Sequence, residues 1–295
     1  MAAVLAFLLL VTGCSTHTPS DQSRLSVVVA FYPFQYVAEQ VGGDQVNVTS
    51  LTHPGVEPHD LELTAKQVAS VASADLVIYE KTFQAAVDAA VEQQHPKRVV
   101  DAAAIVPLRA TTGFEAEEGP TSALDPHTWL DPNSLITYAH AVADQLGQAR
   151  PDQAPNFRAR ADALAASLTA LDGEFRTGLA QCQRKVFVTS HAAFGYLAER
   201  YDLEQVGITG LSPDAEPTPT RLAEVQKVAQ AKGVTTIFSE TLASPALANA
   251  LAKDLNLKTD VLDPLEGITD QSRGTDYPSV MRSNLTALKT ANGCQ

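Results

Sequence analysis

Three histidines sit where an apolar β-branched run gives way to a loop or a helix start: His59 in PGVEPHDLEL, His127 in LDPHTWLDP and His191 in VTSHAAFGYLAERY. Imidazole nitrogen is a common metal ligand, and the three together look like one divided metal site. More than sixty residues separate each from the next, too wide for a zinc finger or for the paired histidines of a protease helix. A long-range fold must bring them together. A lone histidine is more often structural or exposed, and the other four read that way. His17 lies in a polar stretch, His95 precedes Pro96 at a helix end and His140 falls in a helical segment. His53 follows a strand, but Pro54-Gly55 turns the chain at once.

The elements that must position these side chains alternate. Leu25 to Phe31, Val46 to Leu51, Asp75 to Tyr79 and Arg98 to Asp101 are strand-like runs separated by helical stretches, one of which opens with the capping-box pattern Thr64-Ala-Lys-Gln67. The rhythm returns at Lys185 to Ser190, near Gln205 to Ile208, at Val234 to Ser239 and at Thr259 to Leu262, with helices expected over Ala192 to Tyr201, Arg221 to Ala231 and Pro245 to Leu255. Strand alternating with helix predicts βαβ units and parallel sheets. The fold class is therefore α/β, with lobes at 25–132 and 183–295 and residues 133–182 almost free of strand signal. Asp131-Pro132 marks a helix start. From about Asp152, Phe157, Leu164, Leu168, Leu171, Phe175 and Leu179 form one helix face. A helix of that length crosses both lobes as a spine; the alternative is two helices broken near Gly173.

The chain has 295 residues, 45% of them hydrophobic, and a formal charge of −13. That suffices for an ordinary core and disfavours a nucleic-acid partner, which needs a basic footprint. MAAVLAFLLLVTGCS is too short an apolar run to span a bilayer in the mature protein. The small pair before Cys14 resembles a bacterial lipoprotein processing box, with Cys14 as the lipid-bearing residue and residues 1–24 as signal peptide and tether, although no Lys or Arg precedes the apolar core. Two cysteines remain, Cys182 and Cys294. An even remainder in an exported chain favours a disulfide over a metal site, since neither lies in a CxxC or beside a histidine.

PGVEPHDLELTAKQVASVASADLVIY, DPHTWLDP, SHAAFGYLAERY and LDPLEGITD resemble, across residues 25 to 295, the zinc- and manganese-specific solute-binding proteins of bacterial ABC importers, the zinc branch in particular. The resemblance implies two lobes, each a small mainly parallel sheet flanked by helices, joined by one long helix with the metal cleft between them. It carries His59, His127 and His191 over as metal ligands. Manganese-binding relatives tend to place a carboxylate where His191 stands, so histidine favours Zn²⁺ over Mn²⁺. Asp276, in RGTDYPSVMRSNL, is the implied fourth ligand, with water or Glu240 as alternatives. Asp60, beside His59, and Glu240, at the end of VTTIFS, are candidates to orient ligands from behind, each also readable as an ordinary loop carboxylate or helix cap. Trp129 and Phe194 are expected to pack around the site. The segment from Arg109 to Asp125, with Glu115, Glu117 and Glu118 and no histidine, reads as a solvated acidic loop.

The function so implied is extracytoplasmic capture of Zn²⁺ and delivery to a membrane permease by a monomeric, lipid-anchored receptor, with affinity falling as pH drops below about 6.5. A manganese receptor, a surface adhesin or zinc chaperone, and a zinc hydrolase are the alternatives. The chain shows no HExxH helix or G-x-S-x-G elbow, so an enzyme is the least supported of them.

Overall fold

The computed structural model describes residues 24–111 and 124–295. Cys14, the rest of the tether and the three clustered glutamates lie outside the described residues. The first sheet contains β1 (Leu25–Val29), β2 (Val46–Ser50), β3 (Leu76–Tyr79) and β4 (Val99–Asp101), in the order β2-β1-β3-β4 and parallel throughout. Its central strands, LSVVV and LVIY, are nearly all Val, Ile and Leu because helices cover both faces of the sheet. Those helices are α1 (Tyr32–Gly42), α2 (Ala65–Ser73), α3 (Ala85–Gln94) and the short α4 (Ala102–Ile105). The expected capping box is formed: Thr64 Oγ1 accepts from Gln67 N, and the Gln67 side chain returns to Thr64 N.

A small antiparallel pair follows, β5 (Arg109–Ala110) with β6 (Leu124–Asp125). Two residues per strand left no alternating pattern to read. Then comes α5 (Pro132–Ala149), capped by Asp131, and α6 (Ala154–Leu179), 26 residues long. At 1.5 Å per residue α6 spans about 39 Å. It runs unbroken through Gly173, around which a side chain would meet open space. Its buried stripe of Phe157, Leu164, Leu168, Leu171, Phe175 and Leu179 packs on α5 and α1 at one side and on α10 (Tyr277–Asn292) at the other.

The second sheet contains β7 (Val186–Thr189), β8 (Glu204–Gly207), β9 (Thr236–Ser239) and β10 (Lys258–Val261), parallel, in the order β10-β9-β7-β8. Counted from its own first strand, this is the order of the first sheet. Between its strands lie α7 (Gly195–Arg200), α8 (Pro219–Ala231) and α9 (Ala246–Asp254). The helix expected over Ala192 to Tyr201 starts only at Gly195, because His191 to Phe194 form the loop that presents His191. Arg200 fastens α7 to the spine through Asp172 Oδ1 at 2.7 Å and to Asp131 Oδ1 at 3.0 Å. Cys182 and Cys294 form the expected disulfide across a sequence separation of 112, tying the chain just past α6 to that just past α10. Among the described residues, no helix is long and apolar enough to cross a membrane.

Candidate metal centre

His127 is placed by a turn that its own sequence dictates. In Asp125-Pro126-His127, proline has no N–H, so the first free donor after the aspartate is His127 N, and the Asp125 carboxylate accepts it at 2.9 Å. The same oxygen accepts from His127 Nδ1 at 2.9 Å. Glu57-Pro58-His59 repeats the device: the Glu57 carboxylate accepts from His59 N at 3.1 Å and from its Nδ1. Arg109 braces Asp125 through Nη2 at 3.2 Å.

His191 follows β7, and its orienting carboxylate comes from the neighbouring strand. Glu240, directly after β9, accepts from His191 N at 3.1 Å and from Nδ1 at 2.7 Å. The pair therefore sits at the carboxyl ends of the two central strands, on either side of the point where the strand order reverses, the usual crevice of an open parallel sheet. In all three histidines a carboxylate at Nδ1 fixes a proton there and turns Nε2 inward, a lone-pair donor whenever the ring is neutral.

Glu266, in the loop between β10 and α10, supplies the fourth group. One donor atom from each of His59, His127, His191 and Glu266 lies within 4.8 Å of the others. His127 Nε2 and His191 Nε2 are 3.3 Å apart, and Glu266 Oε1 lies 3.6 Å from the latter and 3.8 Å from the former. Ligands about 2.0–2.1 Å from a tetrahedral zinc lie about 3.3–3.4 Å from each other, so the spacing suits such an ion with little adjustment. His59 Nε2 and Glu266 Oε1 are buried with no hydrogen-bond partner. Orphaned donors of this kind are costly unless something binds them. His127, His191 and Glu266 are essentially inaccessible, and His59 is nearly so. Phe83 packs edge-on against His59 at 4.7 Å and Trp129 lies 5.2 Å from His127, walling the group with apolar surface.

The electrostatics of the metal-free site divide the histidines. Burial, with help from the neighbouring His191 and His59, pushes His127 down to about 4 despite Asp125. Burial also acts against charge on His191, but the charge and hydrogen bond of Glu240, followed by Glu266 and Glu57, overcome it and raise the group to about 9. The 3.3 Å contact between the two Nε2 atoms is then an imidazolium at His191 donating to neutral His127. Burial raises Glu266 to about 7, opposed by His59 and His191. Glu57 is also pushed up by burial, yet its hydrogen bond to His59 and that ring's charge hold it below the usual carboxylate range.

Of the residues singled out in the sequence, the structure brings together His59, His127 and His191 and puts Glu240 behind His191 rather than among the inward-facing donors. Asp276 is not in the four-residue group, in which Glu266 stands beside the histidines. It is the N-cap of α10, where Oδ1 accepts from Ser279 N at 2.9 Å in a capping box, a cap that the Asp-Tyr-Pro sequence already favours. Asp60 is exposed; Glu57 orients His59 instead. Phe194 packs on Phe187, 6.4 Å away, and Phe83 lines the site. The carboxylates Glu57 and Asp125 had a readable signal, the repeated acid-Pro-His triplet. Glu266 had none beyond its position in LDPLEGITD, a segment of the family resemblance.

The family profile described as "Zinc-uptake complex component A periplasmic" matches residues 27–291. The chain is 40% identical over 292 residues to the zinc-binding lipoprotein AdcA of Streptococcus pneumoniae, covering 95% of this chain but 58% of AdcA. The chain thus spans little more than half the length of these curated relatives. With the high-affinity zinc uptake system protein ZnuA of Bacillus subtilis it shares 35% identity over 97% of its own length and 95% of that protein. Among solved structures, the Zn(II)-bound ZnuA-like domain of Streptococcus pneumoniae AdcA superposes with a TM-score of 0.77 at 39% identity, covering 91% of this chain and 99% of that one. The Streptococcus agalactiae laminin-binding protein Lmb, described as having adhesin and metal-transporting activity, gives 0.80 at 32% identity, covering 90% and 99%. From the profile match and the near full-length likeness to ZnuA, the chain belongs to the zinc-uptake complex component A family.

Proposed function

We propose that this protein is the receptor of a zinc importer: it binds Zn²⁺ through His59, His127, His191 and Glu266 and delivers it to an ABC permease. The carrying observation is the convergence of three inward Nε2 atoms and one unpartnered carboxylate oxygen within 4.8 Å. Three nitrogens and one oxygen in a closed four-donor set favour zinc over manganese, which prefers more oxygen ligands. Zinc is cargo here, and no bond is made or broken in it. A hydrolase needs an open coordination position beside a general base; the carboxylates Glu57, Asp125 and Glu240 are instead committed to imidazole Nδ1 atoms. The names of its relatives, a zinc-binding lipoprotein and a high-affinity zinc uptake protein, support zinc capture; in this reading the chain works outside the cytoplasm as a monomer held at the membrane by lipid on Cys14. Residues 25–132 and 183–295 act as the lobes and 133–182 as the helical link, whose 26-residue α6 touches elements of both and favours release by local loop motion over a wide hinge swing.

Metal analysis of protein purified without chelators, followed by competition between Zn²⁺ and Mn²⁺, tests the assignment. Stoichiometric zinc that manganese cannot displace is expected. Wild-type zinc affinity in His59→Ala, His127→Ala and His191→Ala together would falsify it.

A further inference from the structure

Glu266 differs from the three histidines: the imidazoles are clasped from behind by carboxylates, whereas Oε1 of Glu266 has no hydrogen-bond partner among the described residues. Its position depends on the backbone of Asp263-Pro264-Leu265-Glu266. That turn is conformationally costly. Leu265, fully buried, has φ +59°, in the left-handed region that branched side chains avoid. Such a conformation persists only where the surroundings over-determine it.

Three side chains do so. Asn284 of α10 closes both backbone groups of Asp263, Oδ1 accepting from Asp263 N at 2.9 Å and Nδ2 donating to Asp263 O at 2.7 Å. Asp263 Oδ1 accepts from Leu265 N at 2.8 Å. Trp129, two residues after His127, reaches across from the other lobe and donates its indole N–H to Pro264 O at 2.7 Å. The backbone carbonyl of Trp129 in turn accepts from Tyr277 Oη at 2.7 Å. Trp129 and Tyr277 are fully buried, so both bonds are sheltered from competing water while the two turns are in contact. On its open side, Glu266 lines a pocket of about 380 Å³ shared with Gly267, Ile268, Tyr32, Tyr36 and Asp276, which gives the carboxylate somewhere to go.

We infer that Trp129 is a positioning residue that makes the Glu266 donor conditional on contact between the lobes. While the His127 turn abuts the second lobe, the indole bond holds Leu265 in its left-handed conformation and Glu266 against the metal. When local loop motion separates the His127 turn from the Pro264 turn, the bond is lost, the turn relaxes and Glu266 withdraws into the adjacent pocket, leaving three imidazoles and a faster release. Glu266 is thus the release ligand. This rests on the reading of Glu266 as a zinc ligand given above.

The test measures zinc affinity and chelator-driven zinc dissociation for the full chain as wild type, Trp129→Phe, Glu266→Gln and the double variant. Trp129→Phe keeps a buried ring and removes one donor, and is expected to speed dissociation about tenfold, the scale of one buried hydrogen bond. In the Glu266→Gln background it should add almost nothing, whereas with Glu240→Gln, which acts on His191, its effect should multiply. An unchanged dissociation rate in Trp129→Phe, or full multiplication with Glu266→Gln, overturns the inference. If Glu266→Gln alone leaves zinc affinity unaltered, the ligand reading of Glu266 fails first. Should Trp129→Phe not fold, Tyr277→Phe, lacking only the hydroxyl that anchors Trp129, is expected to show the same non-additivity at smaller size, and additivity there counts against the bridge.

Discussion

In the first lobe each metal-facing imidazole is clasped by a carboxylate two residues before it, Glu57 for His59 and Asp125 for His127. In the second lobe His191 is clasped by Glu240, 49 positions away, and Oε1 of Glu266 has no hydrogen-bond partner among the described residues. The geometry at the histidines is the same in both, with one carboxylate accepting from both the backbone N–H and Nδ1. Its origin is not. The first lobe builds its ligand units locally, from a proline that removes a competing donor, whereas the second obtains its unit only once β7 and β9 lie side by side.

Ligand removal tests whether the two halves contribute alike. Binding of structural zinc is worth about 10–16 kcal/mol, roughly 3 kcal/mol per ligand across four, so His127→Ala and His191→Ala are each expected to weaken zinc on the order of 100-fold by competitive titration. A loss confined to one lobe would break the comparison. The clasping carboxylates come next, with losses of about 10–100-fold. Glu240→Gln should fall at the upper end and Asp125→Asn at the lower, because the Pro126 turn keeps His127 oriented in part while nothing local restrains His191. The reverse order would show that local turns add nothing.

The pH dependence separates the lobes again. His191, raised to about 9, carries a proton at neutral pH that zinc must expel, whereas His127, lowered to about 4, is already neutral. Affinity should therefore climb as pH rises toward about 9, by up to tenfold per unit from His191 alone, with proton release measurable by calorimetry in buffers of different ionisation enthalpy. This places the sensitive range above the value near 6.5 expected from free histidine. Glu240→Gln removes the charge that raises His191 and should flatten the profile; an unchanged slope would contradict the assignment of that charge. The smallest effect belongs to Asp276→Ala, which should leave zinc affinity unaltered and cost about 1 kcal/mol of stability in a denaturant melt through loss of the α10 cap.

The sheets and spine were largely legible because buried parallel strands are apolar runs and α6 keeps one apolar stripe across some seven turns. His191 was legible because it follows such a run, β7, whereas His59, well past the end of β2, and His127, after the two-residue β6, were legible through the family resemblance of their segments. A carboxylate before Tyr-Pro reads equally as a ligand and as a cap, and Asp276 caps α10. Glu266 was passed over because its value lies in a left-handed turn at Leu265, a residue type that gives no hint of positive φ.

By itself the sequence determined what short-range chemistry can decide: which segments are strands, where helices start, and two imidazoles locked to carboxylates across a proline. Only the tertiary structure decided the identical strand order of the two sheets, the partner of His191 and the placing of Glu266 beside the three imidazoles. Those depend on which backbone segments are brought within a few ångströms by sheet pairing and helix packing, and neither composition nor spacing encodes a distance between residues far apart in the chain.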